Sequence, residues 1–175
     1  RGFPRHFTPL LLALVPMIFV ISEIDNWISL VVPTTQPSPE QIVEARDSRT
    51  LLTSLQIAIA LIGIKPVVEE WLFRGVVLQG AIAHLGRPGG LVFTSAICAL
   101  VPMPLVGGSA TSMVLTSFLS ALCLGVVRIS TGSLLAPILL HASWSALGLA
   151  LTMWVDLFPI PGFNLPEGNT PPELL

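Results

Sequence analysis

The sequence predicts an all-α, polytopic transmembrane helical bundle with a polar intramembrane cavity. Three observations lead there. Apolar residues make up 53% of the 175 and charged residues only 10%, whereas an ordinary soluble domain carries about 25% charged residues, and the mean hydropathy is +0.84. Several apolar runs meet or approach the roughly 20 residues that a helix needs to cross a bilayer core of about 30 Å; they are too long and too continuously apolar for barrel strands. One of these runs carries two adjacent glutamates and an arginine, Glu69, Glu70 and Arg74, and ionisable groups at such depth face a bundle interior or a water-filled cavity.

Taken in order, residues 9–32 read as a retained span, too long and too acidic at its far end (Glu23, Asp25) for a cleavable signal. Residues 33–50 are rich in Pro, Ser, Thr and charge and read as an aqueous loop. Residues 51–85 are apolar for too long a stretch to be one simple span, and Pro66 should kink or break that helix into two pieces meeting near the glutamates. "GRPGG", residues 86–90, reads as a turn. Residues 91–106 form a short run ending in "VPMPLVGG", and residues 111–129 and 134–155 complete the set, followed by a Pro-rich tail. The implied organisation is an N-terminal transmembrane helix and loop over 1–50, a core over 51–156 and a tail over 157–175. The chain begins at Arg1, so the number of spans is a minimum. A net charge of −2 leaves no electrostatic footprint for nucleic acid. Cys98 and Cys123 lie in apolar runs without CxxC spacing and read as small hydrophobes.

On a helix, residues four apart lie over one another while neighbours point about 100° apart. Glu70 therefore faces Arg74, an ion pair that can hold a helix in place, and Glu69 points elsewhere, without a partner. A carboxylate at such a position is either an interfacial group reaching for water or a general base. A second polar group follows in "STGSLLAPILLHASWSALG", residues 130–148, where His141 and Ser145 share one helical face. Each alone is ordinary: the histidine as a hydrogen-bonded packing residue, the serine as a donor to its own helix. Together with Glu69 they carry more weight than any of them alone.

"EEWLFRG" followed in order by "TGSLLAPILLHASW" resembles the CAAX-prenyl-protease and bacteriocin-processing family of intramembrane endopeptidases, over roughly residues 60–148. The resemblance implies an integral, multi-pass protein of a bacterial plasma membrane, in which Glu69 activates water, Glu70 and Arg74 hold the glutamate helix, and His141 orients the water or a divalent metal such as zinc. It implies membrane-associated peptides as substrates, prenylated CAAX-type among them, with membrane lipid as the surroundings. Two positions depart from the pattern. Cys98 and Pro102 stand where the family carries a phenylalanine and, four residues later, a histidine, and Ser145 replaces an asparagine. Glu69 and His141 are then two metal ligands where catalytic zinc takes three; His84 lies too far along the helix to replace the third, and His6 precedes the first span. Ser145 keeps one hydroxyl donor for an oxyanion. The alternative is a catalytically impaired family member acting as a membrane-embedded binding or immunity protein. A transporter would show an internal hydropathy repeat, and the sequence has none.

These departures generate a test. Pro102→His combined with Ser145→Asn should raise cleavage of membrane-tethered peptides by about 10²–10³-fold, since each restores a positioned donor or acid–base group. The gain should vanish on adding Glu69→Gln; equal cleavage by the parent and a well-folded double variant would favour the non-catalytic alternative.

Overall fold

The computed structural model describes residues 14–31, 50–101 and 111–153, with residues 9 and 12 ahead of them. All the regular structure among them is helical. Helix α1 is Met17–Val31, α2 spans residues 51–85 and α3 residues 87–100, α4 is Thr111–Thr131 and α5 is Leu135–Met153. The stretches Leu51–Leu100 and Val114–Thr131 are long and apolar enough to cross a membrane. Their outer faces carry exposed Leu55, Ile59, Val68, Trp71, Val76 and Val126 among others, which an apolar solvent would accommodate and water would not.

Pro66 does not break α2. Ile64 and Lys65 keep helical dihedrals, and the turn before the proline, Ile59–Ile64, is widened to a π-helix in which the Lys65 N–H bonds the Ala60 carbonyl. A proline ring clashes with the carbonyl four residues back in a regular α-helix; the wider turn moves that carbonyl aside, and the helix continues. A second π-helical stretch, Trp71–Val77, follows the glutamates, and the Gln79 side chain donates to the Arg74 carbonyl at 3.4 Å.

The chain reverses at Gly86, whose φ of 71° and ψ of 174° leave the helical region at little cost only for glycine. Arg74 Nη1 lies 3.9 Å from Cys98 Sγ, although 24 residues of straight helix would hold them roughly 36 Å apart. α2 and α3 are therefore antiparallel arms, and the turn expected over residues 86–90 is this reversal. Gly90 lies in the close approach that follows: a Cβ there would come within 2.6 Å of the Ile82 backbone nitrogen.

Helix α4 ends at Gly132, with φ of 65°. Its N–H bonds the Arg128 carbonyl at 3.0 Å, while the Thr131 hydroxyl donates to the Val127 carbonyl at 2.7 Å and accepts from the Ser133 N–H at 3.2 Å, so the orphan groups of the helix end are met locally. α5 then starts with Pro137 in its first turn, where the missing N–H costs nothing. Leu124 and Val127 of α4 pack with Ala136, Leu140 and Trp144 of α5, and Met17, Ile18 and Ile21 of α1 close over this core. The apolar run read as one span over residues 9–32 is interrupted by a turn at Val15–Pro16. The carbonyls of Leu14 and Val15 beside that turn both accept from the Trp144 indole N–H at 3.1 Å. The expected loop over 33–50 and the tail over 157–175 fall, apart from Thr50, outside the described residues.

Gly90→Ala should lower the melting temperature in detergent by the equivalent of about 1–3 kcal/mol, the usual cost of overpacking. Gly80→Ala, where nothing lies within 4 Å of a new Cβ, should raise it by up to about 1 kcal/mol through helix propensity. A Gly90→Ala protein as stable as the parent would mean that the two arms do not pack as described.

Candidate functional site

Among the described residues Glu70 is the most deeply buried charge, with 0% of its side chain exposed, and Arg74 one turn on is 2% exposed. Their ion pair is 3.0 Å long. Arg74 also donates through Nη2 to the Ala121 carbonyl of α4 at 3.0 Å and lies against Cys98 of α3, so one guanidinium ties α2 to both neighbours. The same Glu70 Oε1 that accepts from Arg74 lies 2.9 Å from His141 Nδ1 of α5. An ionised carboxylate can only accept, so toward it Nδ1 is the donor; in a neutral imidazole donating from Nδ1, the lone pair is on Nε2. Glu70 Oε2 meets no partner among the described residues.

Glu69 points the other way, as the 100° step requires, but it has company. Its Oε2 is 3.9 Å from His141 Nε2 and its Oε1 is 4.0 Å from Lys65 Nζ. The expectation of an unpartnered Glu69 is thus corrected. The lysine sits four residues earlier on the same face, a spacing visible in the sequence. Glu69 is 33% exposed and His141 14%. Both border a cavity of about 500 Å³ that Ser145, Cys98, Ser120 and Trp144 also line.

Of the sequence-derived residues, the structure gathers Glu69, Glu70, Arg74, His141 and Ser145 around this cavity or directly behind it. It adds two things the sequence reading lacked: the contact of Glu70 with His141, and the hydroxyls of Ser117 and Ser120 on α4, which appear in the sequence only as polar residues one turn apart in an apolar helix. His84 is exposed near the Gly86 reversal and does not line the cavity. Pro102 and His6 lie outside the described residues.

A catalytic zinc would take three protein ligands. Glu69 Oε2 and His141 Nε2 converge, but Nδ1 and Glu70 are engaged with each other. Among the described residues no group of three or more His, Cys, Asp or Glu side chains is placed to hold a metal ion. Among the described residues these donors do not complete a zinc centre.

Glu70→Gln should destabilise the fold by about 3–5 kcal/mol, because it leaves a buried guanidinium without its counter-charge. Thermal unfolding in detergent measures it, and an unchanged melting curve would show that Arg74 is solvated.

No curated protein and no solved structure matches the chain significantly. A family model does: that of the type II CAAX prenyl endopeptidase Rce1-like proteins, over residues 51–147. The matched segment runs from the start of α2 to the middle of α5 and includes every residue of the site just described. With more than half of its length matched, the chain belongs to the type II CAAX prenyl endopeptidase Rce1-like family.

Proposed function

We propose that the protein is a multi-pass membrane endopeptidase that cleaves membrane-associated peptides, prenylated CAAX-type peptides among them, with water as nucleophile. The observation that carries this reading is the placement of Glu69 Oε2 and His141 Nε2, 3.9 Å apart at the border of one cavity. That gap is too long for a direct hydrogen bond and suited to one water touching both groups. Family membership supports the reaction class, and the apolar outer faces of α2 and α4 support a bilayer as the surroundings.

In this reading the water donates one hydrogen to Glu69 and the other to the lone pair on Nε2. Glu69 takes a proton as the water oxygen attacks the peptide carbonyl. A proton returns to the leaving amine as the C–N bond breaks, which regenerates the carboxylate. Ser145, one turn after His141 on the same face and also on the cavity wall, offers a hydroxyl donor to the developing oxyanion. Glu70 and Arg74 act indirectly, by fixing the imidazole that holds this water. The cavity would then lie within the membrane, with residues 51–156 as the catalytic core.

Glu69→Gln preserves volume and removes the base. It should lower cleavage of a membrane-tethered peptide by about 10²–10⁴-fold while leaving insertion and melting temperature near those of the parent. Full activity in this variant would remove Glu69 from the mechanism, and the absence of cleavage by the parent across a broad peptide panel would leave the binding-protein alternative.

A further inference from the structure

One end of the bundle carries positive charge that nothing described balances. From Trp71 to Val155 the sequence contains no aspartate or glutamate, while Arg74, Arg87 and Arg128 fall within that stretch. Arg74 is neutralised by Glu70. The packing brings the other two to one place. Arg74 touches both Cys98 of α3 and Ala121 of α4, and a Cβ on Gly125 would collide with the Leu91 side chain. Contacts thus run toward the start of α3 as they run toward the end of α4, so the two helices are antiparallel. One turn beyond Leu91 and Gly125, toward the same end, stand Arg87 and Arg128. Helix α1 brings no acid there: Ile18 lies beside Gly148, one turn past the Trp144 contact with Leu14 and Val15. α1 therefore runs alongside α5 and carries Glu23 and Asp25 away from this end.

Arg128 differs from an arginine that merely points into water. It stands in the last turn of α4, a helix long and apolar enough to cross a membrane, and in a bilayer that is headgroup depth. Its Nε is buried and meets no hydrogen-bond partner among the described residues, while the residue as a whole keeps part of its surface open. Desolvating part of a charged group without a partner is costly, and an anion at the open edge of the guanidinium offsets that cost. Arg87 is exposed, as is His84. α3 begins at Arg87, so the positive end of its dipole adds to the two guanidinium groups.

We infer that Arg128 and Arg87 form a binding site for the phosphate of an anionic lipid headgroup, at the end of the bundle where the chain reverses at Gly86 and Gly132. Chemistry and place together choose the occupant. A guanidinium matches the edge of a phosphate with two parallel charge-assisted hydrogen bonds, and a lipid presents its phosphate at the level where a spanning helix ends. Exposed Val92 and Val126 follow within two turns, an apolar surface for the acyl chains. The inference rests on the membrane part of the reading above and not on the peptidase chemistry.

The test is competition between dioleoyl phosphatidylglycerol and dioleoyl phosphatidylcholine for the full chain in nonionic detergent micelles, with bound lipid read by native mass spectrometry. The two share acyl chains and a phosphate, and only the first has a net negative charge. The parent should hold the anionic lipid about 10-fold or more tightly, the range expected for a hydrogen bond to a charged group. Arg128→Gln should bring the ratio to near one, and Arg87→Gln should lower it about 5-fold, the usual worth of one cation near an anionic surface. Lys65→Gln removes the same charge elsewhere and should leave the ratio as in the parent. Arg87 is exposed, so its variant decides the matter even where Arg128→Gln fails to fold. Equal binding of the two lipids by the parent, or a preference left unchanged by either arginine substitution, overturns the site. A preference that Lys65→Gln abolishes as fully is a response to net charge alone and overturns it too. Displacement of the lipid by millimolar glycerol phosphate, a headgroup without chains, gives the arginines to a soluble phosphate and overturns the lipid assignment. Cleavage of a membrane-tethered peptide by the same samples bears on the peptidase reading alone.

Discussion

The carboxylate of Glu70 is the point on which the four helices of the site depend. It has no exposed surface, so its charge must be balanced within the protein, and a single oxygen, Oε1, receives both Arg74 and His141. Arg74 passes the constraint on to the Ala121 carbonyl of α4 and to Cys98 of α3. One buried charge therefore registers α2 against α3, α4 and α5. Replacing a buried ion pair by well-packed apolar residues often costs nothing in stability, so net stability is a weak reason for its presence. What an apolar replacement could not do is hold an imidazole by one nitrogen and leave the other facing the cavity.

The backbone is irregular where the site needs it. In an apolar surrounding every backbone N–H and C=O must find a partner within the protein, and three departures from α-helix here carry their own repair. The π turn before Pro66 keeps the chain helical despite the missing N–H. The π turn at Trp71–Val77 widens the segment carrying Arg74, and Gln79 covers the Arg74 carbonyl. The break at Val15–Pro16 leaves carbonyls that the Trp144 indole satisfies, one turn beyond His141 on α5. That last repair fastens α1 to the helix that supplies the imidazole, so the N-terminal segment, outside the family match, still bears on the site.

How much of this could be read in the sequence follows the range of each interaction. The helical class, the reversal at residues 86–90 and the proximity of Glu70 to Arg74 are set by composition or by spacings of a few residues, and all are legible. The Lys65–Glu69 contact obeys the same four-residue rule, one turn ahead of the glutamates instead of after them. At Pro66, expected to kink or break the helix, the π turn ahead of the proline relaxes the clash that a regular α-helical turn would impose, and the helix continues. The contact between Glu70 and His141 spans 71 residues. No local spacing encodes it; it exists because α2 and α5 pack with a particular rotation about their axes. Pro102, where the resemblance puts a missing histidine, lies outside the described residues, so that departure rests on the sequence alone.

The doubled glutamate has a geometric reason. The two nitrogens of an imidazole point in widely different directions, and no single carboxylate can address both. Consecutive residues on a helix diverge by about 100°, so Glu69 and Glu70 leave the same turn of α2 along different lines and approach the ring from its two sides: Nδ1 at 2.9 Å from Glu70, Nε2 at 3.9 Å from Glu69. The two distances differ in kind. The first is a hydrogen bond inside the protein to a carboxylate that is itself fully buried, with Arg74 beside it. The second is a gap at the cavity wall, between groups that keep part of their surface open. A residue inserted between the glutamates would turn the second one by a further 100° and break one of the two approaches. Adjacency is therefore what lets one turn of helix both hold the histidine and face it across a gap wide enough for water.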